Sequence, residues 1–382
     1  TFDMRLNLGV LANQSVRVHR FEAAQTNPTV ALAFTYKIAA EIGRLGDNIK
    51  FLREQIATDP LLPLAVSQAH QFFTISSHTR WASVGAITEP NCHPVDNLTL
   101  EQGQTAQGII HACLNGDIDN YREIKKAAEA EGRAFPPEIT TDTKIIPIQI
   151  EKYIQQGHDG PEAFRKAVND FEGSHAIAIH TDMAPGKFFL AQKGSGQAVF
   201  VGVAPDYYMP TSEVYGFIEE TPAFLKMDGE KIVDGRQGKT QGQIFILDQN
   251  STGGTDGIQA LYYDGTPIEL NPDDLKHTEI TSRDIDRQNF PHYFLKEISE
   301  SPTSVEKTLQ NRWKIDSATD QYTIALDQSA FPPSLTDALK ADQIRRIFFM
   351  GQGTAGVAAL ACANILQHYL NEPNLQINAL KA

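Results

Sequence analysis

The chain has 382 residues, enough for about two to three domains at roughly 150 residues each, and its 41% apolar content exclude disorder as a description of the whole. Lys and Arg total 33 against 47 Asp and Glu, a formal charge of −14, so nucleic acid and anionic membrane surfaces are excluded as partners by the summed field. Three scattered cysteines, Cys92, Cys113 and Cys362, are too few for a disulfide scaffold or a paired-cysteine zinc site and favour a reducing, cytoplasmic setting.

No secretory leader is read at the start, because Asp3 and Arg5 interrupt any apolar run. After a short apolar opening from Leu6 to Leu11, the residues Ile38, Ile42, Leu45, Ile49, Leu52 and Ile56 fall at steps of three and four. That spacing predicts an amphipathic helix packed on the surface, weakened by Gly43 and Gly46 and closed by Pro60 and Pro63. A second helix starts near Asp117 or Asp119, carries Ile118, Tyr121, Ile124 and Ala128, and stops at Gly132. A third opens on Pro161, carries Phe164, Val168 and Phe171, and stops at Gly173.

The period then changes. Short apolar runs over 175–182, 187–193 and 198–203 are broken by Pro185-Gly186 and Gly194-Ser195-Gly196, which predicts an antiparallel meander. Helices and strands segregated in this way point to α+β layers. Residues 249–257 read as a polar loop, and residues from about 300 to 342 as a connector with some helix. The last segment is of another kind: a strand over 344–350 that is apolar from Ile347 on, a Gly-rich turn, and a helix over about 355–370, the β-loop-α opening of an α/β domain. The uncharged stretch 347–366 has the length of a membrane span, but Gly351-Gln352-Gly353-Thr354-Ala355-Gly356 in its middle is loop chemistry.

Four places carry possible chemistry. Arg80 beside Trp81 sets a forked cation next to a flat wall, suited to a small-molecule carboxylate or to a surface stack. Asn115-Gly116 can aim an amide and a backbone N–H at one oxyanion, or can simply turn the chain. Asp142 in Thr141-Asp142-Thr143 can accept from a substrate ammonium, though the residues alone favour a helix cap. The Gly351–Gly356 loop, at a helix N-terminus, suits a phosphate or a plain turn; it matches neither a Walker A loop nor the Rossmann spacing. Asp117, Asp119 and Asn120 crowd together without the glycine and terminal glutamate of a calcium loop.

In register along the chain, these pieces resemble the glutamine–fructose-6-phosphate amidotransferase family, the glucosamine-6-phosphate synthases. His78-Thr79-Arg80-Trp81-Ala82 and Asn91-Cys92-His93-Pro94 are similar to the family's HTRWAT and N-x-HP block, Asn115-Gly116 to its HNG and Thr141-Asp142-Thr143 to its TDT. The turn at Gly194-Ser195-Gly196 is similar to its R-S-G-S-P. His292-Tyr293, Lys296-Glu297-Ile298 and Pro302 resemble the segment leading into its sugar domain, and Ile347 to Ala355 its first sugar-isomerase (SIS) strand and loop.

The resemblance implies an αββα N-terminal-nucleophile glutaminase sandwich over residues 1–245, a linker over 246–340, and the beginning of a SIS-type α/β domain over 341–382. It implies that Arg80 holds the glutamine α-carboxylate and Asp142 its ammonium, with Ser83 beside the substrate and Trp81 over the ammonia route. Asn115 and Gly116 become the oxyanion hole, and Gly353 and Thr354 contact the sugar phosphate. The implied reaction converts glutamine and fructose 6-phosphate to glutamate and glucosamine 6-phosphate, in a homo-oligomer such as a dimer, with no metal or organic cofactor. Other readings are a non-catalytic or regulatory homologue that binds a sugar phosphate, and a glutaminase serving another acceptor.

The family nucleophile is an N-terminal cysteine activated by its own amine. Here the first residue is Thr1, and Thr1-Phe2-Asp3 resembles the family's R-G-Y-D, which lies after that cysteine; the nucleophile-bearing start and the rest of the SIS region are expected beyond these 382 residues. Val84 stands where the family has His, Ala355 where it has a phosphate-contacting Ser, and the segment from Phe21 to Phe73 is longer than the family's.

Overall fold

The computed structural model describes residues 16–22, 30–39, 46–80, 84–98, 108–280, 286–325, 328, 331–351 and 353–381. Thr1, the opening Leu6 to Leu11, Trp81, Ser83 and Gln352 therefore lie outside the described residues. The chain divides into two units, residues 1–286 and 287–382.

The first unit begins with an antiparallel hairpin of β1 (Val16–Glu22) and β2 (Val30–Tyr36), followed by helices α1 (Asp47–Thr58) and α2 (Leu62–Val66). Next come β3 (Val95–Asp96), β4 (Ile110–Gly116) and three helices, α3 (Tyr121–Ala130), α4 (Ile145–Gln155) and α5 (Gly160–Asn169). Strands follow: β5 (His175–Thr181), β6 (Lys187–Lys193), β7 (Phe200–Val203), β8 (Tyr208–Thr211), β9 (Ala223–Lys226), and the small hairpin β10 (Ile232–Gly235) with β11 (Gly238–Gln241). The last strands of the unit are β12 (Gln243–Asp248), β13 (Ile258–Tyr262), β14 (Pro267–Ile268) and β15 (Lys276–His277).

Two antiparallel sheets result. One has seven strands in the order β14-β13-β12-β6-β5-β4-β3; the other has four, β15-β9-β7-β8. One face of the large sheet, with Ile110, Ala112, Leu114, Ile177, Ile179, Phe189 and Ile244, packs on Ile146, Ile150, Phe164 and Val168 of α4 and α5. Its other face sends Leu190, Phe245 and Leu247 against Val201 and Leu225 of the small sheet. The alternation of side chains along each strand makes both contacts possible. The layers among the described residues are thus helix, sheet, sheet. A helical layer beyond the small sheet, expected of the αββα sandwich, is not among them; Phe217, fully buried in the segment after β8, packs against Phe224 of that sheet with the rings tilted and their centroids 5.6 Å apart.

The local reasons are legible in α5. Asp159, extended at φ −71 and ψ 169, accepts from the Glu162 N–H at its N-terminus, and Pro161 follows in the first turn. Ala163, Phe164, Ala167 and Val168 then fall on one face and are fully buried. We expect Asp159→Ala to lower stability by about 1 kcal/mol through loss of that cap. A urea midpoint unchanged against wild type would remove the cap from the account.

Several expectations need correction. Of the amphipathic helix expected from residue 38, Ile42 and Leu45 lie outside the described residues; the helix described is Asp47–Thr58, after Gly46 at φ 93, and it buries none of its residues, with Ile49, Phe51 and Ile56 54%, 44% and 38% exposed. A stripe at helical spacing reports the helix, not what covers it. The three runs after residue 175 are not one meander. β5 and β6 pair, but the left-handed glycines Gly194 (φ 81) and Gly196 (φ 95) turn the chain out of that sheet, and β7 pairs with β8 and β9 in the other. Beside β6 lies β12 instead. Residues 246–268, expected within a linker, complete the large sheet as the rest of β12, β13 and β14, because β12 and β13 supply buried Ile246, Leu247, Ile258 and Ala260.

The second unit contains α6 (Tyr293–Leu309), the hairpin β16 (Trp313–Asp316) with β17 (Gln321–Ile324), α7 (Pro333–Lys340), β18 (Arg346–Gly351), α8 (Gly353–Leu370) and β19 (Gln376–Lys381). The expected connector over 300–342 is therefore largely regular structure. β18 and β19 are parallel in register, Arg346 opposite Gln376 to Gly351 opposite Lys381, joined by α8 as a βαβ unit. Among the described residues no helix is long and apolar enough to cross a membrane.

Candidate functional site

The sequence-predicted residues of the first unit gather where β4 ends. Asn115 and Gly116 are its last two residues; Asn115 is exposed, and Gly116 sits at φ 104 opposite His175. A Cβ on Gly116 would lie 2.3 Å from the Ser174 backbone oxygen. Backbone crowding and the left-handed φ both require glycine there.

Asp142 stands beside this turn. Its Oδ2 accepts the Ile118 N–H at 3.1 Å, and its Oδ1 takes the Thr141 hydroxyl at 3.3 Å. The helical cap expected of Asp142 belongs to Thr141, whose Oγ1 accepts the Thr143 N–H. The Asp142 side chain instead points at the β4 exit. Burial raises its carboxyl above the usual range, against the pull of the Ile118 N–H. The Thr143 hydroxyl donates to Oδ1 as well, at 3.5 Å, so Oδ2, with the Ile118 N–H alone, keeps a lone pair for a further donor.

Arg80 reaches the same place from the other side. Its guanidinium donates to the Val84 and Ala86 carbonyls, and no carboxylate pairs with it among the described residues. Those carbonyls flank Gly85, at φ 88, where a Cβ would come within 2.8 Å of the Thr141 nitrogen. The loop carrying Arg80's acceptors thus lies directly on the turn carrying Asp142. A half-buried cation and a buried carboxyl group are thus carried on two touching loops, with no ion pair between them. Trp81 and Ser83 lie outside the described residues.

Three further residues organise the site and had no role in the sequence reading. Asn91, fully buried, accepts the Thr140 and Thr141 N–H groups at 2.7 and 3.0 Å and donates to the Glu138 carbonyl at 3.0 Å. His93 Nε2 lies 2.8 Å from Thr143 Oγ1, and its Nδ1 accepts the Leu114 N–H at 3.5 Å. The His78 ring stands 4.4 Å from that of His93. Burial, with His78, Arg80 and Lys37 nearby, pushes His93 down to about 2, and burial beside Arg80 pushes His78 to about 4; both rings are neutral at pH 7. Asn91 and His93 stand in the quoted Asn-Cys-His-Pro block, but nothing in spacing or periodicity says which backbone groups they hold.

The cysteines differ from activated thiols. Burial pushes Cys113 up to about 12. Cys92 is raised by burial too, with Lys37 and Arg80 offsetting part of the rise, and its thiol donates to the Ile38 carbonyl at 3.3 Å. A nucleophilic cysteine needs the opposite shift. Among the described residues no group of acidic, histidine or cysteine side chains is arranged to hold a metal ion.

In the second unit, Gly353 (φ 58) and Thr354 open α8, both exposed, directly after β18. A Cβ on Gly351 would meet the Ala355 backbone at 2.6 Å, so strand and first helical turn approach as closely as glycine allows. Gln352 aside, the stretch expected as a Gly-rich loop over 351–356 is thus the end of β18 and the first turn of α8, which starts at Gly353 rather than about residue 355; the order strand then helix is as expected.

Comparison with known proteins adds the following. Residues 99–224 match a family model described as a glutamine amidotransferase domain. That match contains Asn115, Gly116 and Asp142 and begins after Arg80. Over 238 residues the chain is 30% identical to the glutamine–fructose-6-phosphate aminotransferase (isomerizing) of Sulfolobus acidocaldarius, covering 61% of this chain and 34% of that protein. Over 345 residues it is 28% identical to the protein of the same name from Streptococcus pyogenes, covering 90% of this chain and 47% of the relative. The glutamine phosphoribosylpyrophosphate amidotransferase of B. subtilis, solved with ADP and GMP, is 18% identical with a TM-score of 0.35, over 49% of this chain and 34% of that one. The chain spans between 34% and 47% of the length of these two curated relatives. The resemblance read from short motifs thus extends to similarity over most of this chain.

Proposed function

We propose that the first unit binds and hydrolyses glutamine within an isomerizing amidotransferase, one that hands the released ammonia to fructose 6-phosphate and forms glucosamine 6-phosphate. The observation carrying the glutamine half is the unpaired Arg80 guanidinium and the buried Asp142 carboxylate on two touching loops beside Asn115-Gly116. A free amino acid carries one carboxylate and one ammonium on a single carbon. A separated cation and anion recognise that pair, and a carboxylate satisfied only by neutral donors keeps its charge for the ligand.

In this reading Arg80 takes the α-carboxylate by its fork and Asp142 the α-ammonium, which directs the side-chain amide toward the end of β4. Attack on that amide carbon puts negative charge on its oxygen. The exposed Asn115 amide and the Gly116 N–H are the donors for it, and a rigid turn keeps their reorganisation small as the charge forms. Neither Cys92 nor Cys113 is proposed as the nucleophile, because burial raises both thiols. Trp81 and Ser83 keep their proposed roles over the ammonia route and beside the substrate. Gly353 and Thr354, at the N-terminus of α8, are proposed to hold the sugar phosphate through backbone N–H groups.

The test is glutamate release from glutamine by the full-length protein, measured with and without fructose 6-phosphate. Stimulation by the sugar together with formation of an amino sugar phosphate is expected. Hydrolysis indifferent to the sugar would replace the synthase reading with a glutaminase serving another acceptor. No hydrolysis under either condition would leave the sugar-binding, non-catalytic homologue.

A further inference from the structure

Leu114 and Ile118 bracket the segment Asn115-Gly116-Asp117, and the backbone N–H of each donates to a buried side chain. The Leu114 N–H goes to His93 Nδ1 at 3.5 Å and the Ile118 N–H to Asp142 Oδ2 at 3.1 Å. These two acceptors are themselves connected. His93 Nε2 lies 2.8 Å from Thr143 Oγ1, Thr143 Oγ1 lies 3.1 Å from Thr141 Oγ1, and the Thr141 hydroxyl donates to Asp142 Oδ1 at 3.3 Å. The hydrogen bonds form a closed ring that clasps both ends of the turn.

The direction of the ring follows from its first member. Because Nδ1 accepts from a backbone N–H, the neutral imidazole carries its proton on Nε2 and donates it to Thr143. The Thr143 hydroxyl then has two acceptors within reach, Thr141 Oγ1 at 3.1 Å and Asp142 Oδ1 at 3.5 Å, and the Thr141 hydroxyl donates to Asp142 Oδ1. Every donor has an acceptor, as a buried polar chain requires. His93 is 8%, Thr141 5%, Asp142 4% and Thr143 0% exposed, so water does not compete for these bonds.

We infer that His93 is a positioning residue: its Nδ1 edge holds the start of the oxyanion turn while its Nε2 edge, through Thr143 and Thr141, sets the Asp142 carboxylate. The inference rests on the glutamine reading above and goes beyond it, since His93 itself touches no part of the substrate there. Its two nitrogens serve different steps. The Nδ1 contact bears on charge that forms only in the transition state; the Nε2 contact bears on an ammonium present from first binding.

That division makes the test sharp. The Asn amide reaches about as far as Nδ1 and the Gln amide about as far as Nε2. In the full-length protein, His93→Asn keeps an acceptor for Leu114 and loses Thr143, so KM for glutamine should rise about tenfold with kcat within about twofold, the effect of one hydrogen bond. His93→Gln should do the reverse, with kcat falling about tenfold and KM held within about twofold. Variants that alter KM and kcat alike, or lower only the thermal midpoint, would overturn the inference. Should either fail to fold, Thr143→Val and Thr143→Ser decide. Val should repeat the His93→Asn signature and Ser, which keeps the hydroxyl, should restore wild-type KM; Ser behaving as Val, or Val behaving as wild type, sinks the idea. A wild-type protein without glutaminase activity removes the glutamine reading and this inference with it. An active protein without the split removes the inference alone.

Discussion

Arg80→Ala should raise KM for glutamine by roughly 30-fold to several thousand-fold, the range set by about 2–5 kcal/mol for truncating one partner of a desolvated charge contact. The basis is an arginine with its fork committed only to the Val84 and Ala86 carbonyls. Neutral acceptors orient a guanidinium without cancelling its charge, and the remaining N–H groups face whatever anion arrives. Arg80→Lys should recover only part of the loss, because an ammonium supplies the charge without the planar fork. Matched deletion on the ligand isolates the contact. A glutamine analogue lacking the α-carboxylate should bind wild type and Arg80→Ala alike, and one lacking the α-amine should be insensitive to Asp142→Asn. Asn retains an acceptor for the Ile118 N–H but turns its NH2 toward the Thr141 and Thr143 hydroxyls, so the analogue without the α-amine is the control that separates the lost charge from those lost bonds. An unchanged KM in Arg80→Ala would end the assignment of the glutamine site.

Arg80, Asn115, Gly116 and Asp142 could be nominated from sequence because each sits in a short block that resembles a family motif; residue type alone left each with a plain structural alternative. The wiring between them could not. Asp142 and Ile118 are 24 residues apart and Asn91 and Thr141 50 apart, and a contact across such separations leaves no local period. The start of helix α5 was legible to within a residue because Pro161 and the apolar face behind it lie close together, whereas the helix ends at Asn169, short of Phe171 and the expected stop at Gly173. The passage from β6 to β7 was not. A run of apolar residues reports a buried strand but not which sheet receives it, and that choice was made by two left-handed glycines and by the pairing of β12 beside β6. The stripe of α1 was the converse case: Ile49, Leu52 and Ile56 do fall on a helix, yet none of its residues is buried.

Lowering the pH from 7 to 5 should destabilise the first unit steeply, because its buried histidines are held neutral. Burial pushes His93 to about 2 and His175 to about 4, against an ordinary value of 6.5. Their hydrogen bonds explain the tolerance for neutrality: His93 is held between Leu114 and Thr143, and His175 Nε2 meets the fully buried Tyr263 hydroxyl at 3.0 Å. When the folded value lies below the unfolded one, the unfolded chain binds the proton first. Stability is therefore whole above about pH 6.5 and is lost as pH falls through 6.5 toward the folded values, at about 1.4 kcal/mol per pH unit for each group. Two groups give about 3 kcal/mol per unit over that window, against a total domain stability of only about 5–15 kcal/mol. His180, pushed down to about 3 by burial and by His111, adds in the same direction. Asp142 and Asp182, raised by burial, act the other way, since the folded state takes up their protons first. Urea midpoints at pH 7, 6 and 5 should fall progressively. His175→Gln, which keeps a partner for Tyr263 but cannot titrate, should flatten the slope by about one proton. An equal slope in that variant would mean that His175 takes up its proton in the folded state as readily as in the unfolded one, and that its burial does not govern the acid response.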